Sequence, residues 1–392
     1  VSKRLLVVCP FACYPSTHGG KLDIYNSLIQ LASVELNICV DLLYCDYEKQ
    51  SSAADSHLKK YAGINEIHFL QIKKNKFLSL LYLFYYKPNY SMLYRCLADF
   101  KPEQQYDYIL IHGFHADSIL ENVNLTSARF FYRMHNYEYA YSMQKIPLEK
   151  NLLMKLLRLY DNLKIKFREK WLIAKTEKVL CISSEEYKFF SASYGKKIYF
   201  LPTYLDTSKF VSFKNSNKPH PIVLFVGNLF TLYNKEALIW YLENIHGRIK
   251  SSISDYKFII AGSTAGSDTK WLQDIIQKDK HINVYFNVED MAAIYQMAKV
   301  FVNPMQNGAG VKLKTLDGII NGIPVVSTTV GASGTGLSHR AHCLIADSIN
   351  EFCNAVILLL QDASLARSLV DNGQQYLKEK FCSLAILDTI YD

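Results

Sequence analysis

The sequence predicts an α/β protein made of two Rossmann-like, doubly wound domains facing each other across a cleft. Three observations lead there. At 392 residues the chain is too long for one compact core, so two domains of near-equal size are expected. Apolar, β-rich runs alternate with segments of helical period, the pattern of a parallel sheet wrapped by helices. A polar stretch at 207–221, TSKFVSFKNSNKPHP, interrupts the alternation with serine, asparagine and two prolines before it resumes. The expected division is therefore 1–206, a linker at 207–221, and 222–392, with the last helix able to pack back on the first domain.

In chain order the strand-like runs of the first domain are RLLVVCP, LNICVDLLYC, YDYILIHG, ARFFYRMH, KVLCIS and KIYFLP. Those of the second are IVLFVG, YKFIIAG, INVYF, VFVNP and IPVVST. Each is short and rich in β-branched or aromatic residues. Between the first two lies KLDIYNSLIQLAS, whose apolar residues fall three and four apart, as on one face of a helix. No sequence repeat or low-complexity tract interrupts the series.

Composition narrows the class. Apolar residues make up 49% and charged residues 20%, which fits a folded enzyme and not a disordered chain. Nine cysteines form no CxxC pair and sit mostly in apolar runs, so they read as reduced core thiols of a cytosolic protein, with no metal site among them. The longest strongly apolar segment, FLSLLYLFYY at 77–86, is well short of a membrane span, which needs roughly 18 residues or more. The net charge is +8, and residues 1–210 carry all of the excess: 28 Lys+Arg against 20 Asp+Glu there, 16 against 16 in the remainder.

In open α/β sheets ligands bind beyond the carboxyl ends of the strands, so motifs at those ends carry the functional argument. After the first strand, FACYPSTHGG leads into a helix and sets Gly19 and Gly20 at its N-terminus. Backbone amides there could meet an anion or a close-lying sugar; the alternative is an ordinary turn that uses glycine. The absence of GxGxxG argues against a nicotinamide or flavin cofactor. After VFVNP comes NGAGVKLKTLDGIINGIPVV, in which Gly308 and Gly310 permit close backbone approach. Lys312 and Lys314 add two cations at the start of a helix, an arrangement suited to a diphosphate. Asp317, about one turn beyond Lys314, can accept hydrogen bonds from the vicinal hydroxyls of a ribose. The competing interpretation of Lys-x-Lys is a solvated helix face.

These segments, taken in order, resemble glycosyltransferase family 4, retaining enzymes of the GT-B architecture. The likeness covers nearly the whole chain: HGGKLDIYNSLIQLA, RMHNYE, VLCISSEE, LPTYLDTSKF, VLFVGNLFTLYNKEAL, NVEDMAAIYQMAKVFVNP and the stretch at 307–334. The resemblance implies that Lys312 and Lys314 hold the diphosphate of a nucleotide-sugar, helped by Gly310 and amides near Thr315, and that Asp317 binds the ribose. It implies that Gly227 lets its loop approach the phosphates and that Asn287 and Val288 border the nucleobase. His135 falls where the family keeps a histidine that contacts the transferred sugar. Three departures stand out, the first being that the shorter Asp317 stands where many members have the second of two glutamates eight positions apart. Ala309 replaces the first of a glutamate pair, which would leave sugar contacts to the Gly308–Gly310 backbone, and Thr203 and Tyr204 replace an asparagine-glycine pair before the linker.

The implied activity is transfer of a sugar from a nucleoside-diphosphate-sugar to a glycan or lipid-linked acceptor, in the building of a cell-surface polysaccharide or glycolipid. The absence of Asp-x-Asp is consistent with a metal-independent reaction, and no cofactor or nucleic acid is called for. The alternative is a non-catalytic nucleotide-binding or scaffold subunit that keeps the fold. A nucleotide-sugar epimerase fits the series of motifs less well. Basic and apolar residues mix at 73–87 and 148–178, which predicts either a solvated basic face or peripheral contact of a cytoplasmic protein with an anionic membrane.

Overall fold

The structure, a computed structural model, describes residues 3–15, 19–33, 38–72, 85–213, 220–264, 266–277, 279–288, 290–308 and 310–382. It parts into two compact units between Tyr204 and Leu205. Each is organised around its own parallel sheet.

In the first unit the strands are β1 (Lys3–Cys9), β2 (Ile38–Asp46), β3 (Ile64–Gln71), β4 (Tyr108–His112), β5 (Arg129–Met134), β6 (Lys178–Cys181) and β7 (Ile198–Phe200). Their spatial order is β3-β2-β1-β4-β5-β6-β7. Leu5 of β1 lies opposite both Val40 and Tyr108, so the first strand sits between its two parallel neighbours. Leu6 and Val8 enter one apolar cluster and Leu5 and Val7 another, the alternation of a strand covered on both faces. Helices α1 (Gly19–Ser33), α2 (Glu138–Lys145), α3 (Leu152–Lys175) and α4 (Ser184–Tyr194) belong to this unit. Strand β3 is absent from the sequence reading. It is an edge strand, INEIHFLQ, whose middle residues are only partly covered, so its polar mixture hides the apolar signal that marks the central strands.

The second unit holds β8 (Ile222–Val226), β9 (Lys257–Gly262), β10 (Ile282–Phe286), β11 (Val300–Asn303), β12 (Val325–Ser327) and β13 (Leu344–Ile345), in the order β10-β9-β8-β11-β12-β13. Val223 and Phe225 face one core, Leu224 the other. Helix α5 (Leu232–Tyr241) follows β8 and helix α6 (Leu313–Ile320) follows β11. Helix α7 (Ile349–Gln361) opens with a capping box between Ser348 and Glu351. Helix α8 (Ala363–Phe381) packs within the unit, where Gln374 Nε2 donates to the Ile319 and Val211 carbonyls at 2.8 Å each. Residues 383–392, which bear on whether the chain's end packs back on the first domain, lie outside the described residues.

Both sheets reverse their strand order once, between β1 and β4 and between β8 and β11. Such reversals open a crevice beyond the strand ends. No single helix among the described residues is long and apolar enough to cross a membrane.

Candidate functional site

In the second unit, the residues singled out in the sequence gather at the carboxyl ends of β8 and β11. Gly227 follows β8, and its N–H donates to the Ala261 carbonyl at 3.1 Å. A Cβ on Gly262 would lie 1.8 Å from the Gly227 oxygen, so β9 must end in glycine for the two strand tips to pass so closely. A Cβ on Gly227 would in turn come within 3.0 Å of the Asn234 side chain. That side chain matters because Asn234 Oδ1 accepts from Lys314 Nζ at 2.6 Å, while its Nδ2 donates to the Asn228 carbonyl at 3.1 Å. Gly227 therefore makes room for the asparagine that holds Lys314.

Lys312 caps the N-terminus of α6 and Lys314 is its second residue. Lys312 is buried, and its Nζ donates to the Gly310 carbonyl at 3.0 Å; burial pushes its pKa down to about 8. Lys314 is half-buried, with its ammonium 4.8 Å from the centre of the Phe225 ring. Burial, reinforced by the Lys312 charge, brings its pKa down to about 7 despite the opposing influence of Asp317. Asp317 is itself pushed up to about 7 by burial, with Lys314 only partly restoring the charged form. Two lysines and one carboxyl are thus crowded at the head of α6, and burial works against the charged form of each. In the first turn of α6 the Thr315 amide is committed to the Lys312 carbonyl, while the amides of Leu313 and Lys314 come too early for an intrahelical partner, so an anion arriving here would meet both charge and backbone.

Gly308 and Gly310 both have positive φ, +129° and +74°, which other residues adopt only with strain. Ala309 lies outside the described residues. Thr315 faces inward: its hydroxyl donates to the Gly331 carbonyl at 2.5 Å and accepts from Asn303 at 2.8 Å, and its N–H is committed to the Lys312 carbonyl at 2.9 Å. In this structure it anchors the base of the loop. Asn287 has φ +53° and clamps the end of β9: its Oδ1 accepts from the Thr264 amide at 3.0 Å and its Nδ2 donates to the Thr264 hydroxyl at 3.1 Å. Val288 packs on the apolar cluster that includes Leu316.

The first unit carries a different constellation. Arg133, the next-to-last residue of β5, is 1% exposed and grips Asp23 of α1 through two hydrogen bonds, 2.7 Å from Nε and 2.6 Å from Nη2. The same guanidinium donates to the Leu201 and Pro202 carbonyls, and the Thr203 hydroxyl donates to Asp23 at 2.6 Å. Thr203, the departure noted before the linker, is therefore a buried part of this ion pair, and the Tyr204 carbonyl accepts from Asn26 Nδ2 at 2.9 Å. Burial alone would raise the Asp23 carboxyl; Arg133 and His135 outweigh it and hold it well below the usual carboxylate range.

His135 follows β5, with Nε2 3.2 Å from Asp23 Oδ2 and 3.2 Å from His112 Nδ1. His112 is fully buried, and burial followed by the His135 and Arg133 charges keeps its pKa well below the ordinary value, so it is neutral. The hydrogen-bond order then assigns the tautomer of His112. The Ser27 hydroxyl donates to the Ile24 carbonyl at 2.8 Å, so it accepts from His112 Nε2 at 3.2 Å. His112 Nδ1 must accept in turn, and His135 Nε2 donates. His135 Nδ1 is left facing Gly113, where an added Cβ would sit 3.5 Å away. Asp23, His112 and His135 lie close enough together to suggest a cation site, but both Asp23 oxygens are already taken by a guanidinium. Gly19 and Gly20 begin α1; residues 16–18 just before them lie outside the described residues.

Asn234, Gly262, Asp23 and His112 were given no role in the sequence reading. Asn234 lies within VLFVGNLFTLYNKEAL, yet only the fold brings it to Lys314, 80 residues on.

The fold is that of GT-B proteins, with two Rossmann-like domains. Residues 220–362, which contain the lysine site, match the family model of glycosyl transferases group 1. Over 393 residues, 99% of each chain, the protein is 29% identical to an uncharacterized 44.6 kDa protein in the cps region of Klebsiella pneumoniae. Among solved structures it is similar to sucrose-phosphate synthase from Thermosynechococcus elongatus, with a TM-score of 0.69 and 14% identity over 99% of this chain and 98% of that one. It is similar also to Anabaena HepE in complex with UDP and glucose, with a TM-score of 0.65 and 12% identity over 99% and 98%. At such identities the structural likeness speaks for the fold.

Proposed function

We propose that the protein is a glycosyltransferase that moves a sugar from a nucleoside-diphosphate-sugar to a glycan or lipid-linked acceptor, with retention of configuration, in the building of a cell-surface polysaccharide or glycolipid. The observation that carries this reading is Lys314: a half-buried ammonium at the head of α6, held by Asn234, its pKa brought to about 7 by burial and the Lys312 charge, with Asp317 only partly opposing them. The match of 220–362 to group 1 glycosyl transferases supports it, and the cps-region relative supports the polysaccharide setting. HepE, of like fold, binds UDP and glucose.

In this reading Lys314 and Lys312 hold the diphosphate with the Gly310 backbone and the first-turn amides of α6, and Asp317 accepts from the ribose hydroxyls. The bond between the anomeric carbon and the diphosphate oxygen breaks as the acceptor oxygen bonds to the same face of that carbon. The acceptor's proton passes to the departing phosphate oxygen. Negative charge grows on the diphosphate through the step, and preorganised cations and amides stabilise it most at the transition state, without a metal ion. His135, held through Nε2 by His112 and Asp23, orients the transferred sugar. A panel of nucleotide-sugars tests the proposal: slow release of nucleoside diphosphate from one of them supports transfer, whereas tight binding with no release supports a non-catalytic subunit, for which Ala309 in place of a glutamate would be the reason.

A further inference from the structure

Helix α3 turns an apolar stripe outward and several polar groups inward, where Ile165, Leu172 and Ile173 are buried beside them. Along one stripe it exposes Leu152, Leu156, Tyr160, Leu163 and Phe167, at 72, 55, 49, 52 and 69%, while its polar residues Asp161, Asn162, Lys164 and Glu169 are buried. The stripe follows spacings of four, four, three and four, so it is a single face, about 22 Å long at 1.5 Å per residue.

The polar side explains why the helix cannot roll over to hide it. Asp161 accepts from the Asn89 amide at 3.1 Å and pairs with Lys164 at 2.9 Å. Glu169 accepts the Glu138 and Tyr139 amides, at 2.9 and 3.3 Å, and so closes the N-terminus of α2. Arg168 pairs with Asp117 and with Glu121. Turning the stripe inward would leave each of these groups unpaired. Five large apolar side chains are therefore presented outward by design of the helix's other face.

Charge says what covers them. Lys155, Lys166 and Lys170 flank the stripe, and the only carboxylates of the helix, Asp161 and Glu169, are both buried. The face offers cations and hydrocarbon with no exposed acid. Two copies pairing through it would set these lysines against one another, whereas an anionic lipid leaflet complements both features. Tyr85 and Tyr86, exposed at 51 and 77%, join the same region through a hydrogen bond from Lys164 Nζ to the Tyr85 carbonyl, and such side chains favour the level of lipid headgroups. Residues 73–84, the other part of the basic-aromatic segment noted in the sequence, lie outside the described residues.

We infer that the exposed face of α3 is a docking surface for an anionic membrane, on which the helix lies flat with Leu156 and Phe167 in the headgroup–acyl boundary. This does not rest on the proposed chemistry and is tested apart from it. The full chain is sedimented with vesicles of phosphatidylcholine alone and of phosphatidylcholine mixed with phosphatidylglycerol. Binding to the anionic vesicles is expected to exceed that to neutral ones by on the order of five-fold for each lysine at the surface, and to fall as salt rises. Leu156→Ser with Phe167→Ser should lose most of it while melting like the parent; Lys155→Glu with Lys170→Glu should remove most of the preference for anionic lipid. Val123→Ser, at an exposed apolar residue on another element, should change nothing. Equal binding to both vesicle types, or anionic binding that survives the Leu156→Ser, Phe167→Ser pair, would overturn the inference. So would a dimer in vesicle-free buffer that the same pair converts to monomer, since the face would then be an interface between copies.

Discussion

Each unit gathers cations and a carboxylate near the ends of its strands, and the two settle their charges in opposite ways. Arg133 and Asp23 are a completed pair: two short hydrogen bonds, two carbonyls and a threonine hydroxyl satisfy it, and the carboxyl is held well below its ordinary range. Lys314 and Asp317 are an incomplete one. Burial dominates both, drawing the lysine down and the acid up until each titrates at about 7. The first arrangement has nothing left to bind and serves to hold β5, α1 and the 201–203 segment together. The second stays short of negative charge until a ligand brings it.

The comparison breaks most readily at the completed pair. Removing one partner leaves a buried charge unmatched, so Arg133→Met should cost about 3–5 kcal/mol of folding stability in denaturant titrations. Lys314→Ala should leave stability nearly unchanged, because the lost group is a poorly solvated cation. A comparable loss at both positions would erase the distinction between scaffold and site.

The next effect is on ligand. Lys314→Ala should weaken nucleoside diphosphate about ten- to a hundred-fold, from a charge-assisted hydrogen bond worth roughly 1.5–3 kcal/mol, and should lower turnover by more than it lowers affinity. Asp317→Asn should weaken diphosphate and intact donor alike, since ribose contacts change little along the reaction.

The pH dependence follows from the same pair, with opposite signs on its two limbs. A bound diphosphate favours protonated Lys314. Above pH 7 the free protein must take up that proton, so affinity should fall by up to about ten-fold per unit as pH rises. Asp317 must be ionised to accept from ribose, so affinity should also fall as pH drops below 7. Because the groups interact, the two limbs belong to the pair, and Asp317→Asn should remove the acid limb and move the alkaline limb to lower pH. Isothermal titration across pH 6 to 9 would show whether affinity peaks near neutrality.

The smallest change is at Asn234. Its hydrogen bond positions Lys314 without supplying charge, so Asn234→Ala should weaken diphosphate by a few-fold, consistent with a net hydrogen bond of about 1 kcal/mol. A loss as large as that from Lys314→Ala would mean that the asparagine itself touches the ligand.

Much of this was legible in the sequence. Alternating apolar runs gave the central strands because each is covered on both faces, and glycines with lysines between a strand and a helix marked the loop proposed to bind the donor. What stayed hidden depends on partners far apart in the chain. Arg133 meets Asp23 across 110 residues and Lys314 meets Asn234 across 80, and nothing local distinguishes these side chains from solvated ones. His112 sits in an ordinary apolar strand; only its neighbours reveal that its Nδ1 accepts from His135 Nε2. The basic, leucine-rich character of 148–178 was plain, but which face of α3 turns outward was decided by the buried bonds of Asp161 and Glu169.

Calorimetry of nucleoside diphosphate binding at pH 8, repeated in buffers of different ionisation enthalpy, tests the role of Lys314 most directly because it counts protons. With Lys314 titrating at about 7 and Lys312 at about 8 in the free protein, binding should take up about 1.4 protons, and Lys314→Ala should cut that uptake to about half a proton. Binding by the parent with no proton uptake, or with the same uptake in Lys314→Ala, would show that this lysine does not meet the diphosphate.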